Sequence, residues 1–375
     1  MNYRSSFPVF DDASIGLILK DIEATLRSGV LTGGIHAQEL EKKFSAYLAA
    51  KHAVAVSSGA SSLEIPLRYF GAKDKEVIVP TNTFVATPNS VVFAGAKPVF
   101  ADMREDTLSI DPADVRRKIS PKTAGIIVVH IAGLICPQID ELLEICEDND
   151  LFLIEDCAHA HGATIDNRHA GTMGDVGCFS FAPTKNMTTG EGGILVTENT
   201  DLDQAARFMR NRGLDNEKLM VILGHSWCMS EINAILGVHQ LENLEFFVSK
   251  RNHIANQYDR LLGKIREVTL FKTPANIRHG YHKYPVKLDE DVDVNKVAQI
   301  LRVKFGIETG RVYYPPCHLH PYYKKTFGTR EGDFPVAERV LRQVLCLPIH
   351  VDLVDEQIKE ISNAFEKSIE ESRKG

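Results

Sequence analysis

Seven short apolar runs, several of them separated by helix-length segments, constrain the fold of this 375-residue chain more than any other feature. They fall at 53–56, 77–79, 98–100, 125–130, 151–154, 177–181 and 194–196. Short apolar runs bounded by turns read as buried strands, and strands that alternate with helices join through crossovers. The pattern therefore predicts an α/β fold: a mostly parallel seven-stranded sheet with helices on both faces. Ahead of it, Ile15, Ile18, Leu19, Ile22 and Leu26 recur at helical spacing, and Gly29 follows as a stop signal. Leu40, Phe44, Tyr47 and Leu48 mark a second helix. From Ser230 a long helical pattern runs through Leu244 into the charged stretch Lys250-Arg-Asn-His253 and reads as a connector. Downstream the spacing predicts a strand at 284–288, a helix carrying Val294, Val297, Ile300 and Leu301, and a strand around 307–314. Two more helices follow, the last over 355–371. The expected division is a large unit over 1–245 and a smaller C-terminal α+β unit over 246–375.

Composition removes several classes of function. A net charge of −7 leaves no basic stripe to neutralise phosphates, which argues against nucleic-acid binding. The seven cysteines, at 136, 146, 157, 178, 228, 317 and 346, are scattered and contain no C-x-x-C pair. Neither a disulfide framework nor a zinc site is indicated. His159-x-His161 and His318-x-His320 lack a third ligand at metal-site spacing, so no metal is expected. The first residues carry no apolar leader and no run approaches membrane-spanning length. The expectation is a soluble cytoplasmic protein.

Chemistry concentrates where the strands end. Ligands of open α/β sheets bind at the carboxyl ends of strands. The run 151–154 ends in Glu155 and Asp156, whose side chains should point to opposite faces. Asp156, the last acid before the turn, is the candidate. About thirty residues on, Lys185 lies between the strand at 177–181 and a Gly-Glu-Gly-Gly turn, five residues after Ser180. A lysine held and partly desolvated there suits capture of an aldehyde. A lysine with an acid matches pyridoxal phosphate: the amine forms the imine, and the acid keeps the pyridine nitrogen protonated. The strand at 53–56 runs into Ser57-Ser-Gly59-Ala60-Ser61, whose free amides at a helix start can bind phosphate. Phe84, past the end of another strand, can lie flat on a planar ring. Singly, each of these also reads as a cap, a turn or core packing; together they all fall at the ends of predicted strands. Tyr313, Tyr314 and His318, with Arg311 nearby, form a polar-aromatic segment that can face a substrate.

The runs GVLTGG (29–34), KHAVAVSSGASSLE (51–64), VPTNTFVAT (79–87), IEDCAHAHGA (154–163), FSFAPTKNMTTGEGG (179–193) and MSEINAILGVHQL (229–241) resemble the sugar aminotransferases of the DegT type. These belong to the fold-type-I pyridoxal phosphate enzymes, with an aspartate aminotransferase-like fold. The resemblance implies that Lys185 carries the cofactor, with the pyridine nitrogen on Asp156 and the ring between Phe84 and His159. It implies phosphate held by the amides of Gly59 and Ala60 and by Ser180. It also implies a homodimer with shared active sites, and amino transfer to a nucleotide-linked keto sugar with glutamate as expected donor. Alternatives within the resemblance are a ketone on a cyclitol or antibiotic ring, and a pyridoxamine phosphate-dependent dehydratase, against which Lys185 speaks. A regulator that keeps the fold without catalysis is the alternative outside it. Two departures stand out. The family usually reads Ser-Gly-Thr where this chain has Ser58-Gly59-Ala60, and Gly-x-Asn-x-Arg-Met where it has Gly224-His-Ser226-Trp227-Cys228-Met229. That asparagine normally reaches the partner's cofactor phosphate; Ser226 is shorter, and Cys228 lacks the arginine's charge.

Overall fold

A computed structural model describes residues 3–373. Strands β1 (His52–Val56), β2 (Glu76–Pro80), β3 (Lys97–Ala101), β4 (Thr123–Val129) and β5 (Phe152–Asp156) precede two short ribbons, β6 (Thr164–Ile165) and β7 (Arg168–His169). Then come β8 (Val176–Ser180) and β9 (Gly193–Thr197). The large sheet has the order β1-β9-β8-β5-β4-β2-β3 and uses all seven predicted runs. Its pairings are parallel from β3 to β8, while β9 runs antiparallel to both neighbours. β1 therefore points the same way as β8, and the carboxyl ends of β1, β2, β5 and β8 lie on one edge.

Period-two packing explains why the runs are apolar throughout. Ala53 and Ala55 of β1, Ile78 of β2, and Ile126 and Val128 of β4 enter one core cluster. Their neighbours Val54, Val56, Val77, Val79, Ile127 and Val129 enter another on the opposite face. Each strand is thus buried on both sides, as parallel sheets require. Around the sheet lie α1 (Asp12–Ser28), α2 (Ile35–Leu48), α3 (Gly59–Tyr69), α4 (Ala86–Phe93), α5 (Pro112–Lys118), α6 (Ile139–Asn149) and α7 (Thr200–Arg210). Gly29 ends α1 in the left-handed conformation (φ 72°), as its position predicted.

The helical pattern from Ser230 is two helices, α8 (Glu231–Glu242) and α9 (Leu244–Leu262). Asn243 breaks it, donating its side-chain amide to the His239 carbonyl. Arg251, in the charged stretch that reads as a connector, is buried and donates to the Tyr281 and Ile349 carbonyls. A third core, with Ile254, Tyr258, Val286, Leu301 and Phe365, gathers α9, α10 (Val294–Phe305) and α13 (Asp355–Arg373). They pack on the antiparallel sheet β10 (Val268–Leu270), β12 (Tyr284–Leu288) and β13 (Val344–Leu347); β11 (Ile277–Arg278) pairs with β6 instead. Two expectations fail here. The strand around 307–314 does not form: only Ile307 and Gly310 make isolated bridges, and Tyr313 at φ 50° turns the chain out of strand geometry. The final helices number three, since α11 (Pro321–Phe327) and α12 (Pro335–Gln343) precede α13. No helix among the described residues is long and apolar enough to cross a membrane.

Candidate active site

A cavity of about 480 Å³ opens at the carboxyl edge of the large sheet. Gly59, Ala60, Phe84, Asp156, His159, Ser180, Lys185 and Tyr313 all line it. At the end of β1, Ser58 caps α3 reciprocally: its hydroxyl accepts from the Ser61 amide, and Ser61 Oγ accepts from the Ser58 amide, each at 3.1 Å. The first amides of α3 have no intrahelical acceptor, so they face the cavity as anion donors. Gly59 is required by a close approach, since a Cβ there would lie 2.6 Å from Ser180 Cβ. The missing threonine hydroxyl at Ala60 leaves this backbone cradle intact.

The two acids at the end of β5 separate as the pleat demands. Asp156 sits on the cavity side, where Oδ2 accepts from Thr87 Oγ1 at 2.7 Å and Oδ1 from the Ala158 amide at 3.1 Å. Thr87 Oγ1 in turn lies 2.7 Å from Thr83 Oγ1; because its proton goes to Asp156, Thr83 is the donor. Burial raises the Asp156 pKa, against Thr87, Ala158 and the positive charge of Lys185. Glu155 turns to the other face and is fully buried. It accepts from His130 Nε2 at 2.8 Å and from the amides of Gly171, Met173 and Gly174 at 2.7–2.8 Å. Burial pushes this carboxyl up, but the hydrogen bonds from His130 and the amides outweigh it and hold the pKa below the usual value. Glu155, His130 and Cys157 stand close enough to hold an ion, yet His130 Nδ1 already accepts from the Cys136 amide and Glu155 is saturated.

His159 is neutral, since burial and the nearby Lys185 and Lys283 charges push its pKa far down. Its Nδ1 accepts from the Ala132 amide at 3.2 Å, so the ring proton is on Nε2 and points at Tyr313 Oη, 2.7 Å away. Tyr313 therefore keeps its own hydroxyl proton to donate. Its ring is 5.7 Å from His159 and 5.8 Å from Phe84, which is 56% exposed at the mouth. His161 packs between Phe179 and Phe181, and burial lowers its pKa to about 3. Lys185 follows β8 in a turn closed by its own amide donating to the Ala182 carbonyl. Burial brings its pKa down to about 8; Asp156 opposes the shift and Lys283 adds to it.

The sequence reading missed Thr87, His282 and Lys283 as wall residues. Thr87 was visible in the run 79–87, whereas nothing in Tyr281-His-Lys-Tyr284 announces a site. Tyr314 and His318 are not on the cavity wall. Tyr314 lies under the Arg311 guanidinium, 4.7 Å away. His318 is fully buried, with Nδ1 2.6 Å from Thr81 Oγ1 and Nε2 3.0 Å from Glu338, so neither nitrogen is left for a substrate. Ser226 is exposed and accepts from Arg212 at 3.3 Å, while Trp227 stacks on His225 at 4.4 Å.

A desolvated lysine, an acid at a strand end and a helix N-terminus on one cavity wall define the type of site that pyridoxal phosphate enzymes use. The residues present fit that group: the cavity is large enough for it, and amides, acid and amine lie at separate points of the wall. A model of the DegT/DnrJ/EryC1/StrS aminotransferase family matches residues 14–366, and the chain belongs to that family. Among relatives, GDP-perosamine synthase of Caulobacter vibrioides is 32% identical over 365 residues, 96% of each chain. The Helicobacter pylori aminotransferase PseC, involved in the biosynthesis of pseudoaminic acid, superposes with a TM-score of 0.92 at 27% identity, covering 99% of this chain and 100% of that one. The PLP-form of the putative sugar aminotransferase Spr1654 from Streptococcus pneumoniae gives 0.92 at 26% identity, over 99% and 100%.

Proposed function

We propose that this protein transfers an amino group from an amino acid, with glutamate as donor, to the keto group of a nucleotide-linked deoxy sugar. The observation that carries the reading is Lys185, a buried amine with a pKa of about 8 on the same cavity wall as Asp156. Relatives whose names include a GDP-linked amino sugar support the substrate class. When bound, pyridoxal phosphate supplies an aldehyde for the donor's amine and a ring that takes up the electrons of a carbanion.

In this reading Asp156 holds a proton at the ring nitrogen, and the Thr83–Thr87 hydroxyl pair fixes the carboxylate's orientation. The amides of Gly59 and Ala60, with Ser180, bind the phosphate. Phe84 and His159 flank the ring. Lys185 would hold the cofactor and, as a free amine, would move the proton at the donor's α-carbon as a general acid–base, helped by a pKa near working pH. Tyr313, fixed by His159, offers a hydroxyl proton to the substrate.

Two copies are expected to share their sites. Leu219, Met220, Val221 and Leu223 are exposed beside Ser226, and Leu17, Leu19, Leu26 and Ile35 are exposed on α1 and α2. Apolar residues gathered in this way suit burial against a second copy. The seven cysteines are all free, which fits a reducing cytoplasm. The division proposed is a cofactor-binding unit over 1–245 and a small unit over 246–375: the third core, Tyr3 apart, comes from residues 254–369, though Val312, Tyr323 and Leu341 pack into a core of the large sheet. Incubating the purified holoenzyme with glutamate and a panel of nucleotide-linked keto sugars, read by mass, tests the proposal. Each accepted sugar exchanges its ketone for an amine, while a panel without any such product contradicts the reading.

A further inference from the structure

The cavity wall carries a second ammonium to which the reaction above gives no task. Lys283 leads into β12, with its amide donating to the Ala132 carbonyl at 3.1 Å. His282, just before it, packs on His159 at 4.1 Å, so the main chain is fixed on both sides. The Lys283 ammonium donates to the Arg311 carbonyl at 2.6 Å and lies 4.6 Å from the centre of the Tyr313 ring. An ammonium has three N–H donors, and these two contacts engage only part of that capacity.

Its position is unusual for a lysine. It lines the main cavity and also a second one of about 220 Å³, bounded by Ser6, Thr184 and Cys346, so it stands in the partition between them. No ion pair with an aspartate or glutamate of the described residues accompanies it, and burial pulls its pKa down. The other charges on the main wall do not compensate it. Asp156 is committed to Thr87 and Ala158, Glu191 is exposed, and Lys185 is a second cation. A half-buried cation without a counter-ion is costly until an anion arrives. The cofactor's phosphate has donors of its own in the α3 amides and Ser180, which line the same cavity. A carboxylate fits: a lysine offers a compact point charge, and an amino-acid donor that takes the place of Lys185 on the cofactor would bring its α-carboxylate into this cavity.

We propose that Lys283 is the substrate-recognition residue of this site, its ammonium receiving a carboxylate carried either by the amino-acid donor or by a sugar-acid acceptor. The inference rests on the transaminase reading above and deepens it.

The test compares wild-type holoenzyme with Lys283→Met and Lys283→Arg. The cofactor colour is titrated with glutamate and with n-butylamine, an amine without a carboxylate. Calorimetry on the pyridoxamine form then compares a nucleoside-diphosphate hexuronate with the matching hexose. Loss of one hydrogen bond to a charged group weakens binding about 10- to 100-fold. Lys283→Met should show that loss for glutamate but not butylamine if the donor is the source, or for the hexuronate but not the hexose if the acceptor is. Lys283→Arg should recover part of it, and cofactor content should be unchanged throughout. Unaltered affinity for both carboxylates, or an equal loss for butylamine and hexose, overturns the assignment. A wild-type protein whose colour glutamate leaves unchanged sinks the transaminase reading along with it, whereas a responsive wild type with an indifferent Lys283→Met sinks this inference alone.

Discussion

Removing the amine at 185 should make the cofactor-free protein more stable at neutral pH, by an amount that shrinks as pH rises. The ammonium of Lys185 is taken from water into the cavity, and its pKa falls from 10.5 to about 8. A lysine whose native pKa is depressed binds its proton more strongly when unfolded. Stability therefore rises with pH between about 8 and 10.5, and the full penalty applies below 8. A shift of 2.5 units at ~1.36 kcal/mol each gives roughly 3.4 kcal/mol, and solvent entering the open cavity reduces this to about 2–3 kcal/mol. Lys185→Met keeps the stem and deletes the charge. Urea unfolding of the two apo-proteins at one concentration should show the variant more stable by that amount at pH 7. At pH 9.5 the gap should be about 1 to 2 kcal/mol smaller, other titrating groups cancelling in the comparison. The depression also leaves roughly 300-fold more free amine at pH 7 than an ordinary lysine would have, which ties the cost to function. A stability gap of zero, or one indifferent to pH, would refute the claim that Lys185 is desolvated.

Asp156→Asn should keep the cofactor bound and slow proton abstraction from the donor by roughly 10²-fold or more, about 3 kcal/mol in the barrier; single-turnover absorbance with glutamate reads this, and an unchanged rate removes Asp156 from the site. In Gly59→Ala the new methyl meets Ser180 Cβ at 2.6 Å, so cofactor affinity should fall at least 10-fold while the fold persists, as measured by dialysis and refolding with pyridoxal phosphate. Glu155→Gln should cost about 2–4 kcal/mol in urea unfolding, because it disturbs four hydrogen bonds in a sealed pocket. Since the Glu155 pKa is held low, that loss should be full above its ordinary value of 4.5 and should shrink as acid protonates the wild-type carboxyl.

The sheet was legible because strands buried on both faces must be apolar at successive positions, and that signal needs no partner to be seen. The separation of Glu155 from Asp156 was legible for a similar reason, since a pleat sends neighbours to opposite sides. Lys185, Ser180, Gly59 and Ala60 lie in local motifs at strand ends, so their convergence on one cavity was readable as well. Lys283 and His282 were not. They reach the cavity only because the small antiparallel sheet delivers β12 to its mouth, a long-range contact without local trace. Tyr313 lines the cavity, whereas Tyr314 and His318, grouped with it by sequence, do not. A positive φ at Tyr313 turns the chain, and one-residue spacing then no longer means a shared face. The burial of Arg251 was not legible either, because the two carbonyls that it satisfies lie far along the chain.

The most direct test of the central claim is where the cofactor attaches. The holoenzyme is reduced with borohydride, digested, and the modified peptide sequenced by mass spectrometry; a parallel sample is treated with glutamate beforehand. A single label on Lys185 is expected, lost on prior glutamate treatment as the donor displaces the lysine. A label on Lys283 or any other lysine, or one that glutamate leaves untouched, would contradict it.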